Sequence, residues 1–226
     1  TDLNQAVVLR VGEKGFESVP HVVTNEGIVL KTKQSGQFTI SEKAISFADI
    51  AKDPHKQYIE ALAKRYIVQG KSAAKFDPNG NMTRAQFAAM VARALDLKTT
   101  SSSTFKDVKG MWYENDVQAL YEAGIVFGID STTFKPNATI NRIQAAMMLS
   151  RLLDYVKADV ENVNLSSSTF KDVSNLNAEA KEVVTRMQAL NIFAGKKDGS
   201  FAPYEQLTRS QMAKTLYKSL QIAGML

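Results

Sequence analysis

Apolar residues recur at helical spacing through most of the chain. Ile59, Leu62, Ala63, Tyr66 and Ile67 fall on one helix face, and Phe87, Met90, Val91, Ala94 and Leu95 form the stripe of a second. The second stripe returns as Ala145, Met148, Leu149, Leu152 and Leu153, and again as Met212, Leu216 and Leu220. The pattern predicts a helix, a glycine-containing loop and a helix, three times over. Residues 1–45 have another texture. Val7 to Val11, Val19 to Val23, Ile28 to Thr32 and Gln37 to Ile40 are short β-prone runs, separated by Gly12, Gly15, Asn25-Glu26-Gly27 and Ser35-Gly36. They predict three or four strands of a small sheet, too short for a good core alone. They are expected to be the tail of a larger upstream domain, without chemistry of their own.

The helical units are copies of one another. Asn81-Met82-Thr83-Arg84-Ala85-Gln86-Phe87 returns as Thr139-Ile140-Asn141-Arg142-Ile143-Gln144 and as Gln206-Leu207-Thr208-Arg209-Ser210-Gln211. At fixed offsets upstream of each arginine stand Phe76, Phe134 and Phe201, then Gly70, Gly128 and Gly195, then Ile67, Ile125 and Ile192. The stretch Ser101 to Val108 is identical to Ser166 to Val173, which marks an internal duplication. Polar junctions at Thr99 to Thr104 and Leu165 to Thr169 divide the chain into a β-rich segment over 1–45 and repeats over 46–99, 100–163 and 164–226.

Each motif reads as a helix start. Thr83, Asn141 and Thr208 are N-cap residues, and Gln86, Gln144 and Gln211 complete capping boxes. The arginine between them is not explained by the cap. A cation at the first helical position opposes the macrodipole by roughly 0.3–1 kcal/mol. Three recurrences point to an anion facing each arginine, which unpaired amides at a helix start also favour; an ion pair with a carboxylate of the same repeat is the other reading.

Other recurring positions carry two readings each. Asp49, Asp107 and Asp172 precede the first helices, where a carboxylate caps or orients a loop, or orients a ligand or arginine. Trp112 is either core or a platform for a sugar ring. Gly70, Gly128 and Gly195 fit left-handed helix ends, and lack of a side chain there would also admit a ligand to the backbone. Lys71 and Lys196 follow two of these glycines, either as solvated surface or as help with an anion.

Composition narrows the function classes. The 226 residues carry a net charge of +5, but their lysines are scattered, so a nucleic-acid patch is not indicated. No run approaches the ~18 apolar residues of a membrane span. Absence of cysteine removes disulfides, thiol catalysis and thiolate metal sites, and fits export without oxidative folding. No signal peptide is visible, and the chain opens at Thr1 in what reads as mid-domain. Asp77-Pro78-Asn79-Gly80-Asn81 mimics the opening of a calcium loop, but Ala88 stands where the bidentate Glu belongs. His21 and His55 lie in different regions and make no zinc site by themselves, and no carboxylate spacing identifies a glycosidase pair. No catalytic site, metal or cofactor is expected.

Phe-x-Asp-Val at Phe105 to Val108, Trp112, Gly-Ile-x-x-Gly, then Phe134-x-Pro136 and Ile140-x-Arg142-x-Gln144 resembles the S-layer homology module. The resemblance covers residues 46 to about 222, clearest in the second repeat. It implies a mainly α fold, three modules forming a pseudo-threefold, three-pronged spindle around a central three-helix bundle, with a small N-terminal β segment. It further implies non-covalent anchoring to the wall of a Gram-positive cell, through grooves that bind secondary cell wall polysaccharide, often at a terminal pyruvylated N-acetylmannosamine. The family's groove arginine maps onto Arg84, Arg142 and Arg209. Substituting Arg84 or Arg209 is expected to weaken glycan binding while the fold survives. Departures are Gln in place of the motif acid, bulky Ile143 in the second copy, and Pro54 and Glu179 at the place of Trp112. A structural module that contacts neighbouring surface-layer subunits is the alternative.

Overall fold

The computed structural model describes residues 6–13, 15–160 and 169–226; the second serine-rich junction over 165–168 lies outside them, as does Thr1. The N-terminal segment forms five strands, β1 (Val7–Gly12), β2 (Gly15–Ser18), β3 (His21–Thr24), β4 (Gly27–Leu30) and β5 (Phe38–Ser41). They make two antiparallel sheets, β2-β1-β5 and β3-β4. Pro20, which has no N–H to give a ladder, lies with Val19 between β2 of one sheet and β3 of the other.

This segment docks on the first repeat. Arg10 Nη1 donates to Asp96 Oδ2 at 2.7 Å and Nη2 pairs with Oδ1, both side chains being buried. Thr32 Oγ1 adds a bond of 2.6 Å to the same carboxylate. Around this pair Lys98 and Arg10 hold Glu17, and Phe16 meets Tyr66 edge to face at 5.9 Å. A bidentate buried pair is costly to break from one side, because the remaining charge is left without compensation. The segment is therefore tied to the repeats by contacts that its own sequence does not announce.

Among the described residues the repeats supply six α-helices: α1 (Lys56–Lys64), α2 (Arg84–Leu95), α3 (Glu114–Glu122), α4 (Arg142–Tyr155), α5 (Ala178–Ala189) and α6 (Arg209–Ile222). Each first helix ends before its conserved-offset glycine. Tyr66 (φ 59), Gly124 (φ 70) and Asn191 (φ 53) turn left-handed, and the amides of Ile67, Ile125 and Ile192 reach back to Leu62, Leu120 and Met187. These are Schellman ends, one turn earlier than expected. Gly70, Gly128 and Gly195 are not left-handed.

The second helix of each repeat packs on the first helix of the next: α2 on α3, α4 on α5, and α6 back on α1. Helix α6 also touches α2 and α4. The motif strands bridge across the centre, Asn81 to Thr208, Thr83 to Thr139 and Asn141 to Gln206. One buried core, from Phe47 to Met225, runs through all three repeats. The ring closes.

The mainly α expectation does not hold. The chain is 34% helix and 13% strand, with two small antiparallel sheets, a mixed α/β composition. Helical periodicity was the loudest local signal, but each helix is short, the regular structure of the N-terminal segment is all strand, and the motif residues pair across repeats in isolated bridges.

Candidate functional site

All three capping boxes form. Thr83 Oγ1 accepts from Gln86 N at 3.2 Å while Gln86 Oε1 accepts from Thr83 N at 3.1 Å, and Asn141 with Gln144 and Thr208 with Gln211 repeat the exchange. With its oxygen committed to the cap, each glutamine has an amide nitrogen without a hydrogen bond among the described residues.

The amides at the helix starts are not free for an anion. Arg84 N donates to Ala138 O at 2.9 Å and Ala85 N to Pro136 O at 3.0 Å. Arg142 and Ile143 do the same to Glu205 and Pro203, and Arg209 and Ser210 to Gly80 and Pro78. The expected anion site at the helix N-terminus is thus filled by carbonyl oxygens of the following repeat.

The arginine side chains complete this contact. Arg84 Nε donates to Phe134 O at 3.0 Å and Nη2 to Phe127 O at 3.1 Å. Arg142 reaches Phe201 O at 2.6 Å and Ala194 O at 2.9 Å; Arg209 reaches Phe76 O at 2.9 Å and Gln69 O at 2.7 Å. Each guanidinium also lies on the ring of that phenylalanine, 4.5–4.8 Å from its centroid. The sequence placed a cation where the helix dipole opposes it because a neighbouring loop presents carbonyls there. Burial lowers each guanidinium pKa. Acids of the following repeat push it back: Asp107 toward Arg84, Glu205 and Asp172 toward Arg142, Asp77 and Asp49 toward Arg209. Among the described residues no same-repeat ion pair holds any of the three.

The aspartates organise the receiving loop. Asp49 accepts from Phe76 N at 2.8 Å and Asp77 N at 2.7 Å. Asp107 takes Phe134 N and Lys135 N, and Asp172 takes Phe201 N and Ala202 N, at 2.7–2.9 Å. The second donor is left-handed in every copy, at Asp77 (φ 63), Lys135 (φ 58) and Ala202 (φ 56). Both carboxylate oxygens are thereby engaged in aiming the phenylalanine carbonyl and ring at the arginine. The glycines serve the same layer. A Cβ on Gly128 would lie 2.6 Å from Thr133 O and collide with the Phe105 ring, and Gly70 and Gly195 are equally hemmed in by Phe47 and Phe170. Absence of a side chain lets the loop fold over, rather than a helix end turn.

The three arginines are 6–8% exposed, and none has a bond from Nη1 among the described residues. Since no buried side-chain nitrogen or oxygen there lacks a partner, Nη1 must reach solvent. Two of the three arginines border cavities between repeats. Arg209 lines a cavity of about 270 Å³ with Gln69, Gln86, Met90, Arg93 and Trp112. Arg142 lines one of about 190 Å³ with Gly195, Lys196, Gln211, Lys214 and His55. There burial and the Lys214 charge lower the His55 pKa. At the corresponding place beside Arg84, Arg151 pairs with Glu179 at 2.8 Å and covers the Phe127 ring at 4.6 Å. The grooves are unequal.

Trp112 is 65% exposed and stands over Arg93, so it is not core. Lys71 and Lys196 are ion-paired with Asp77 and Glu205. Ile143 is buried in the core. Sequence reasoning missed Arg93. The available signal was its recurrence as Arg151 and Lys218 at the same offset from each motif arginine.

A closed ring of three helix-loop-helix copies with cationic grooves at their junctions defines a repeat-built surface-binding module. A family model described as S-layer homology domain matches residues 46–88, 104–146 and 169–213. The chain belongs to this family. It is 34% identical over 199 residues, 87% of its length and 11% of the relative's, to an amylopullulanase of Thermoanaerobacterium thermosulfurigenes. Exoglucanase XynX of Acetivibrio thermocellus is 33% identical over 196 residues, covering 86% of this chain and 18% of that one. S-layer protein sap of Bacillus anthracis is 29% identical over 163 residues, 71% and 19% of the two lengths. The chain thus spans 11–19% of these relatives. Membership assigns it to cell-wall anchoring at the cell surface, an anchoring module rather than a catalytic one. Among the described residues no helix is long and apolar enough to cross a membrane.

Proposed function

We propose that the chain holds its parent protein to the wall by binding an anionic secondary cell wall polysaccharide, with a pyruvyl ketal carboxylate of terminal N-acetylmannosamine seated in the inter-repeat grooves. One observation carries this reading. Each buried motif arginine spends Nε and Nη2 on the neighbouring repeat, and Arg142 and Arg209, with Nη1 unspent, line cavities between repeats. A cation fixed in that way meets a carboxylate without losing side-chain freedom on binding, which favours affinity. A ketal carboxylate is ionised above about pH 4 by ordinary carboxyl values. Gln86 or Gln211 would donate to the ligand, and Arg93 or Lys214 would add charge. Asp49, Asp107, Asp172 and the three loop glycines act through the geometry of the arginine. Lys196 borders the second groove. Two grooves on one chain add avidity for a polymer.

Calorimetric titration with the monosaccharide, with and without its pyruvate, tests this. Binding that requires the pyruvate and weakens in Arg93→Gln supports it. Equal binding of both sugars refutes it, as does no binding together with concentration-dependent self-association, the outcome expected if neighbouring surface-layer subunits are the partner.

A further inference from the structure

The cavity beside Arg209 does not end at Arg93. Gln69 and Arg93 also wall a second cavity of about 200 Å³, whose far side is the N-terminal β segment at Phe16 and Ser18, with Tyr66 and Asp116 completing it. Gln69 and Arg93 line both cavities, which therefore adjoin in one depression of the surface.

Arg93 in this depression is placed unlike its counterparts in the other two repeats. Of the three basic residues at equivalent places, Arg151 is paired with Glu179 and Lys218 donates to Asn191 O at 2.6 Å. The Arg93 side chain has neither an ion pair nor a hydrogen bond among the described residues, and its guanidinium rests against the Trp112 ring at 5.9 Å. Gln69 and Asp116 likewise have no side-chain hydrogen bond there, while each borders the opening. Exposed rings stand at both ends: Trp112 on one side, and on the other Phe16, 49% exposed, braced edge-on by Tyr66. A pyranose has an apolar C–H face and a rim of hydroxyls, so it is recognised by an aromatic face combined with planar side chains that donate and accept. A phenyl ring, an amide, a guanidinium and a carboxyl at one opening meet that description. The N-terminal segment is held in place for the task by the buried pair of Arg10 and Asp96.

We propose that β2 and Tyr66 form a second sugar subsite, taking the next, uncharged residue of the same glycan whose charged terminus occupies the cavity at Arg209. The proposal rests on the groove reading above. It makes the β segment part of the binding surface, and makes the groove of the first repeat the principal site.

The probes are the pyruvylated monosaccharide and its trisaccharide, titrated into the full chain and into Phe16→Ala and Asp116→Asn. The trisaccharide is expected to bind roughly tenfold tighter than the monosaccharide, and both variants to lose that gain while keeping monosaccharide affinity. Phe16 is half exposed at a strand edge, so its truncation leaves the fold in place, which circular dichroism verifies. Equal affinity for the two saccharides overturns the subsite while leaving the groove standing, and so does a full gain retained in both variants. Failure of both saccharides to bind wild type removes the groove reading and the subsite with it.

Discussion

Arg209→Met removes the contact that closes the ring, and its consequence follows from the geometry. The side chain makes charge-assisted bonds of 2.9 and 2.7 Å to carbonyls 133 and 140 residues away, and covers the Phe76 ring. Bonds to charged groups contribute about 1.5–3 kcal/mol each, and a guanidinium on an aromatic face about 0.5–2 kcal/mol. The terms are not additive, and relief of cation burial offsets part of them. A net loss of about 3–4 kcal/mol is expected, a large fraction of the 5–15 kcal/mol typical of a domain. Methionine keeps much of the volume, so the loss reads on the bonds rather than on a cavity. In urea the midpoint should fall by about 1 M, with Arg84→Met as the control that opens the junction of the first and second repeats instead. Hydrogen exchange should quicken at the amides of Arg209 and Ser210, which donate to Gly80 and Pro78 across the same junction. An unchanged midpoint with unchanged protection would falsify the account of the motif arginines as inter-repeat ties. The fold is expected to survive such a substitution with reduced stability, so binding losses in these variants must be read against the folded fraction.

Glycine substitutions separate crowding from backbone conformation. Gly128→Ala puts a Cβ 2.6 Å from Thr133 O and against the Phe105 ring and should cost about 2–3 kcal/mol, whereas Gly124→Ala, left-handed at φ 70 with open space around it, should cost only about 1 kcal/mol; equal losses in thermal denaturation would contradict both assignments. Two buried groups give opposite pH dependences. Burial, with Arg65 nearby, lowers the His21 pKa from 6.5 to about 4, so its contribution is present at neutral pH and lost as pH falls through that interval. Burial raises Asp116 from 3.8 to about 6 against the pull of Arg93 and Lys98, so its contribution is present in acid and lost as pH rises through that interval. Between pH 4 and 6 the two slopes oppose each other. Asp116→Asn should therefore raise stability at pH 7 and make the loss on acidification steeper; a stability difference from wild type that does not vary over that range would show the Asp116 shift to be absent.

How much was legible depends on how far each interaction reaches along the chain. The capping boxes at Thr83, Asn141 and Thr208 are exchanges between residues three apart, so residue identity alone specified them. The helix stripes and the threefold repetition are also local or self-comparing signals, and the family followed from them. The partners of Arg84, Arg142 and Arg209 were not legible, because they are main-chain carbonyls, which every residue possesses, brought in from 43 to 140 positions away. Asp107 could be read as a loop acid, but that both oxygens aim Phe134 at an arginine of the preceding repeat is a property of the closed ring. Gly128 suggested a helix end on local grounds, and only the packing of Phe105 and Thr133 over it revealed the other reason for its lack of a side chain. The buried union of Arg10 with Asp96, and with it the wall that the β segment lends to the first groove, joins two unremarkable charges 86 residues apart. Sequence thus determined the copies and their caps, where energy depends on neighbours along the chain; tertiary structure decided what each copy holds, where energy depends on which backbone arrives.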